Sequence, residues 1–206
     1  MKHQTRNKST IKLPIRRKGT KYVAKALSHS YDSVPVVIAV RDMLHLASTA
    51  KEVRHLIKEK VLKINGRPVR DYRESIRLFN ILEAGKIYVL TILPTGRFAF
   101  EPSEKQERLC KVINKKLISG NRIQINLHDG SNIITKEKIS VGDSVYLSPD
   151  GKIKSHVSLE KGKKVFIMSG KYIGFTGVIN SMKDNLVNIS LDSHDTVIGK
   201  EQVVAL

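Results

Sequence analysis

The first 31 residues carry nine cationic side chains, Lys2, Arg6, Lys8, Lys12, Arg16, Arg17, Lys18, Lys21 and Lys25, and no carboxylate. Such a block repels itself and has little apolar surface to bury, so it cannot build a core alone. Pro14 and Gly19 interrupt any single long helix through it. Three readings stay open: a solvated tail, an Arg-rich and acid-poor targeting segment, or an arm that orders on phosphate. No clean amphipathic stripe and no secretory apolar core accompany the cations, which favours the third. Each Lys or Arg set on a phosphate releases counterions and adds roughly −0.7 to −0.9 to the log–log salt slope of binding.

The charge falls away along the chain. The formal net charge of the 206 residues is +18, of which residues 1–31 hold +9, residues 32–100 hold +5, residues 101–159 hold +3 and residues 160–206 hold +1. Hydrophobic residues make up 40%, enough to build cores downstream of the basic block. One cysteine, Cys110, excludes a disulfide framework and a thiolate-rich zinc site, and it fits a reducing, cytoplasmic setting. The longest apolar run, Val34 to Val40, has seven residues including Pro35, whereas a membrane span needs about twenty. The partner class that remains is a polyanion, with no membrane involved.

Past the basic block, Pro35 opens an apolar stretch from Val36 to Leu46 that suits a helix start. Thr49-Ala50-Lys51-Glu52 reads as a capping box, predicting a helix from Ala50 to about Lys60. Wound at about 100° per residue, Ala50, Val53, Leu56 and Ile57 share one face, while Lys51, Arg54 and Lys58 share the next. Glu52 and Glu59 fall elsewhere. The signs are sorted by face instead of interleaved, which turns an ordinary wet face into a candidate phosphate-contacting one. Asn65-Gly66 between Val61–Ile64 and Arg67–Arg70 predicts a hairpin, because both turn residues need positive φ. Pro68 places its strand at an edge. Arg67, Arg70, Arg73 and Arg77 follow closely.

From Phe79 onward β character dominates. Strands are expected over Lys86–Leu93, Arg97–Phe100, Arg122–Leu127, Ile133–Thr135, Ser144–Leu147, Lys164–Ser169, Gly177–Ser181, Leu186–Ser190 and Val197–Ile198. A short helix is expected over Ser103–Asn114, with Leu109, Val112 and Ile113 as its apolar side. The size of residues 160–206 suits a small β-barrel.

Several of these segments resemble known families. Val40-Arg41-Asp42 through Val69-Arg70, with the helix and the Asn65-Gly66 turn, is similar to the S-four-type RNA-binding module. Glu107-Arg108-Leu109-Cys110-Lys111-Val112 and Gln124-Ile125-Asn126-Leu127-His128-Asp129-Gly130 resemble the central domain of the S-four-e family, small-subunit ribosomal proteins of archaea and eukaryotes. Residues Val165 to Ile179 resemble a KOW motif in an SH3-like barrel, and Lys18-Gly19-Thr20-Lys21-Tyr22 is similar to that family's beginning. The order matches the family over nearly the whole chain. Departures are Asn65 where the family usually has Asp, Ala26-Leu27-Ser28-His29 in place of a Pro-Gly-Pro-His type sequence, and Phe175 where KOW motifs often carry a cation.

The resemblance implies an α+β, mainly β fold with four parts: a basic extension over 1–34, the S-four-type module over 35–78, a central β domain over 79–159 and a KOW barrel over 160–206. It implies a structural, non-enzymatic constituent of the small ribosomal subunit, bound to small-subunit ribosomal RNA and neighbouring small-subunit proteins, without a cofactor and not homo-oligomeric. The expected RNA contacts are Lys2, Arg6, Lys8, Lys12, Arg16, Arg17, Lys18, Lys21, Arg41, Lys51, Arg54, Lys58, Arg67, Arg70 and Lys171. Asn65, Gly66, Gly170, Gly174 and Gly177 are expected to serve turns. The rival functions are an RNA-modifying enzyme and an RNA-chaperone or elongation accessory protein using the same modules.

Catalytic and metal motifs are missing. No G-x-x-x-x-G-K-[ST], H-E-x-x-H or G-x-S-x-G pattern occurs. His128-Asp129 and His194-Asp195 are adjacent pairs, and adjacent strand residues face opposite ways. Cys110 reads as a buried, inert thiol. No small-molecule substrate or metal is expected.

Overall fold

The computed structural model describes residues 3–16, 18–118, 120, 122–191 and 194–206, so Lys2 and Arg17 lie outside the described residues. Contacts divide the chain into two units, Met1–Arg108 and Leu109–Leu206. Strands dominate, with few helices.

In the first unit, β1 (His3–Thr5) pairs antiparallel with β2 (Tyr22–Ala24) and closes the basic segment into a loop. Leu13, Val23 and Ala26 are buried, and the Phe98 N–H donates to the Lys12 carbonyl at 2.8 Å. The segment is thus a folded part of the unit, where charge alone suggested an arm ordered by phosphate. The cause is local. Arg6 donates from Nε to the Thr20 carbonyl at 2.9 Å, from Nη2 to Thr20 Oγ1 at 3.1 Å, and from Nη1 to the Arg16 carbonyl. A guanidinium presents five donors in a fixed fork, so one cation ties several loop acceptors.

β3 (Ser33–Pro35) and β6 (Ser75–Arg77) pair antiparallel. After β3 the apolar run forms α1 (Val36–Ile38) and a π-helical turn, Ala39–Met43. No side chain from Val36 to Val40 is more than 2% exposed. A helix that is apolar all round has to be interior, and this one is. The turn widens to π spacing where the Leu44 N–H reaches the Ala39 carbonyl at 2.9 Å.

α2 spans Ala50–Lys58. Its start is fixed by Thr49 Oγ1, which accepts from the Glu52 N–H at 3.2 Å, and by the Glu52 carboxylate, which accepts from the Ser48 N–H at 2.8 Å and the Thr49 hydroxyl at 2.9 Å. The Ser48 bond, with the Thr49 hydroxyl second, holds the Glu52 carboxyl below its ordinary range. Val53 is buried, while Leu56 and Ile57 are half-buried.

β4 (Lys63–Ile64) and β5 (Arg67–Pro68) form the hairpin, with φ of 52° at Asn65 and 80° at Gly66. The same sheet continues through β7 (Ile81–Ala84), β8 (Lys86–Ile92) and β9 (Phe98–Pro102), in the order β5-β4-β7-β8-β9. A boundary after residue 78 was expected. The chain crosses that point inside one sheet, because buried Ile64 of β4 pairs directly with buried Leu82 of β7.

The second unit corrects the helix expected over Ser103–Asn114, where β10 runs from Arg108 to Ile118. Leu109, Cys110, Lys111 and Val112 are consecutive and all buried. A one-sided helix cannot bury four residues in a row, whereas a strand covered on both faces can. Spacing alone cannot separate these cases in so short a run. A bulge between Val112 and Asn114 turns Ile113 outward. β11 (Arg122–Leu127), β12 (Asn132–Thr135), β13 (Ser144–Leu147) and β14 (Ile153–Val157) complete a sheet of order β12-β11-β10-β13-β14. Its core is Cys110, Val112, Ile125, Leu127, Ile139, Val145 and Leu147.

β15 (Lys164–Ile167), β16 (Thr176–Lys183), β17 (Leu186–Ser190), β18 (Asp195–Gly199) and β19 (Val203–Ala205) form the last sheet, in the order β18-β17-β16-β15-β19. Val165, Ile167, Ile179, Val187, Ile189, Leu191 and Val203 fill its core, joined by Leu159 from before β15. Gly170 and Gly174 carry φ of 93° and 81° in the β15–β16 connection. Gly177 has a different constraint. A Cβ there would sit 2.5 Å from Ile189 Cγ2 and 2.6 Å from the Ser190 carbonyl oxygen, so β16 and β17 can pair only around a residue without a side chain. Gly177→Ala should therefore lower the unfolding free energy by about 2 kcal/mol, within the usual range for overpacking. Denaturant unfolding checks this, with Gly162→Ala, where a Cβ meets nothing within 4 Å but φ is 83°, isolating the cost of backbone strain.

Candidate nucleic-acid interface

α2 carries the clearest cationic face. Lys51, Arg54 and Lys58 are all exposed, as the helical wheel predicts. Tyr72, from the segment that follows the hairpin, lies under the Arg54 guanidinium at 4.6 Å and is also 5.6 Å from that of Arg73. Stacking on the ring face restrains Arg54 while leaving the in-plane N–H groups of its fork able to meet phosphate oxygens. The sequence placed Arg54 but missed Tyr72. Its only signal is an aromatic within a run of arginines.

Among the other expected contacts, position decides availability. Lys8, Arg16, Lys18 and Lys21 are exposed, with Lys21 Nζ 5.6 Å from the Tyr22 ring. Arg70 is exposed too. Arg6 is occupied by loop acceptors. Lys12 is paired with Asp32. Arg41 forms a bidentate pair with Asp42 at 2.9 and 2.7 Å, and that hydrogen-bonded carboxylate raises its pKa. Arg67 pairs with Glu74 at 3.0 Å, and Arg73 with Asp71 at 3.0 Å. A cation already matched to a carboxylate offers a phosphate less than an unmatched one.

In the second unit Lys171 is exposed in the β15–β16 connection, its Nζ 5.5 Å from the Tyr172 ring. Phe175, close by, is exposed as well. Lys111 behaves in the opposite way. Flanked by Cys110 and Val112, it is buried, and its Nζ donates to the carbonyls of Val203 at 2.6 Å and of Lys200. Burial pulls its pKa down to about 8, against the opposing pull of the Glu201 charge. Sequence reasoning did not single this residue out, although a Lys inside an apolar run was visible.

The adjacent His–Asp pairs serve structure. His128 Nδ1 accepts from the Lys111 N–H at 3.1 Å, and the Asp129 carboxylate accepts from the Ser131 N–H at 2.9 Å and the Ser131 hydroxyl at 2.6 Å. The His194 ring packs on Tyr172 at 5.2 Å, while Asp195 accepts from the Asn180 amide at 3.3 Å. Among the described residues, no group of three or more His, Cys, Asp or Glu could hold a metal ion. Cys110 is buried.

The first unit keeps cations such as Lys51, Arg54 and Lys58 exposed, and the second ties His128, Asp129 and Asp195 into internal hydrogen bonds. Comparison supplies the class. The ribosomal family S4e model matches residues 84–153. Small ribosomal subunit protein eS4 of Methanothermobacter thermautotrophicus is 30% identical over 98% of this chain and 94% of its own, and that of Archaeoglobus fulgidus is 31% identical over 97% and 87%. The crystal structure of the 30S ribosomal protein S4e from Thermoplasma acidophilum superposes with a TM-score of 0.73 at 28% identity, covering 85% of this chain and 95% of that one. The chain belongs to the eS4 family of small-subunit ribosomal proteins, a family of structural proteins and not of enzymes.

Replacing Lys111 by Met would leave the Lys200 and Val203 carbonyls without their donor, at a cost of about 1–3 kcal/mol. The pH dependence has a definite sign. From about 8 up to 10.5 the folded chain has released this proton while the unfolded chain still holds it. Wild-type stability should therefore rise with pH across that window relative to Lys111→Met, and run parallel to it below. Denaturant unfolding of both proteins at closely spaced pH values measures the difference.

Proposed function

We propose that this protein is a structural component of the small ribosomal subunit that lies on small-subunit ribosomal RNA and so supports translation in the cytoplasm. The observation that carries this reading is the sign-sorted face of α2, with Lys51, Arg54 and Lys58 exposed and Arg54 stacked on Tyr72. Lys8, Arg16, Lys18, Lys21 and Arg70 extend the cationic surface of the same unit. Aromatic residues make up only 5%, which suits recognition of backbone and shape better than base stacking along a single strand.

Within the first unit, the segment that presents α2 and the hairpin acts as an S-four-type module, held in a sheet that continues through β7 to β9. The strands from Lys164 to Ala205 act as an SH3-like barrel of KOW type, supported by the close β16–β17 approach at Gly177 and by Lys171 in the connecting loop. That barrel packs against RNA or a protein neighbour with little net charge of its own. The chain works as one copy among neighbouring small-subunit proteins.

Arg54→Glu combined with Lys58→Glu should weaken binding to small-subunit ribosomal RNA at least about tenfold, since four charge units change where phosphates would lie. Thermal unfolding should stay near wild type, because both side chains are exposed. Filter binding beside a melting curve tests this, and unaltered affinity in a folded double variant would assign that face to solvent. Neutralising Lys8, Lys18 and Lys21 together should reduce the log–log salt slope by about 2, and an unchanged slope would remove the basic loop from the interface.

A further inference from the structure

We propose that a cleft in the first unit holds a single unpaired RNA nucleotide, with the Asn80 side chain reading the edge of its base. The proposal rests on the RNA-binding reading above and adds a base-specific site to it. The cleft has a volume of about 540 Å³ and is lined by Ser28, Asn65, Arg67, Glu74, Ser75 and Asn80, among others. That volume falls within the roughly 300–1,000 Å³ usual for small-molecule sites.

Asn80 is the decisive residue. It is 6% exposed, with its N–H bonded to the Arg77 carbonyl at 2.9 Å and its carbonyl to the Leu90 N–H at 3.0 Å. Among the described residues its side-chain amide has no hydrogen-bond partner, although it lines the cleft. The amide opens onto the cleft and is not tied to the chain, so a ligand that supplies both a donor and an acceptor can bond it without breaking an internal hydrogen bond. An amide offers one acceptor and two donors, and base edges present the matching pairs.

The walls fit a neutral base. Asn65 Oδ1 accepts from the Ile81 N–H at 2.9 Å, which fixes that side chain at the turn. The Ser28 and Ser75 hydroxyls bond each other at 3.1 Å. Glu74 accepts from the Arg70 N–H at 2.7 Å and pairs with Arg67 at 3.0 Å. Glu74 repels an anion in the cleft, whereas a neutral base meets no such repulsion, and Arg108 joins Arg67 as the cations of the lining. Arg67, with 62% of its side chain exposed against 12% for Glu74, sits where the nucleotide's own phosphate would emerge. Unpaired bases splayed from a helix and read on their edges are the usual route to sequence-specific RNA recognition.

The test uses the full chain and RNA hairpins that are identical except for one bulged A, G, C or U, or none. Wild type should bind at least one bulged hairpin roughly tenfold more tightly than the uninterrupted one, the discrimination expected of a good amide–base pair. Asn80→Leu should lose that preference while keeping the affinity for the uninterrupted hairpin and its salt slope. If Asn80→Leu does not fold, the side-chain amide resonances of Asn80 in the wild-type chain decide, since they should shift on saturation with the preferred RNA. Equal wild-type affinity for all five hairpins overturns the cleft alone. Preference retained in folded Asn80→Leu, or Asn80 amide signals unmoved by every RNA but shifted on assembly with a protein neighbour, overturns it too. Failure to bind any hairpin overturns the RNA-binding reading, and the cleft with it.

Discussion

Repulsion between like charges is the constraint around which this fold is arranged, since the formal net charge is +18. The cations have three dispositions. Arg6 and Lys111 turn inward onto backbone carbonyls and act as fasteners. Lys12, Arg41, Arg67 and Arg73 are matched to carboxylates nearby. Lys51, Arg54, Lys58 and Arg70 stay exposed, without an ion pair among the described residues. The third group defines the surface on which an external polyanion gains most, because its counterions are the ones released on binding.

The apolar framework makes that sorting possible. Val34 to Val40 form an interior segment that no cation interrupts, and α2 follows it after a short connection. The capping interactions of Thr49 and Glu52 fix where α2 begins, and so which side chains its charged face presents. Tyr72 then sets the direction of Arg54. Each element is modest alone. Together they give a rigid display of cations, which lowers the ordering cost on binding.

The parts of the fold written in local chemistry were legible in the sequence. Thr49 with Glu52, and Asn65 with Gly66, signal their structures through backbone groups within a few residues. Sorting of charge on α2 was also legible, because helical geometry alone determines it. The stretch from Leu109 to Val112 was not. Its apolar spacing fits a helix, and only burial from both sides, supplied by distant segments, makes it a strand. Arg6, Lys111 and Asn80 were opaque for the same reason. Their partners, or the lack of one, depend on chain brought together by the fold. Pairing of Arg41 with Asp42 lay in adjacent residues, yet sequence cannot tell a paired neighbour from a bystander.

The sharpest test compares two doubly neutralised proteins of identical net charge, Lys51→Ala with Lys58→Ala and Lys12→Ala with Arg41→Ala, by the salt dependence of binding to small-subunit ribosomal RNA. If the exposed, unpaired cations form the interface, the first pair lowers the magnitude of the log–log slope by about 1.4–1.8 and the second leaves it near wild type. Equal losses from the two pairs would contradict the account, because binding would then follow total charge and not its arrangement on the fold.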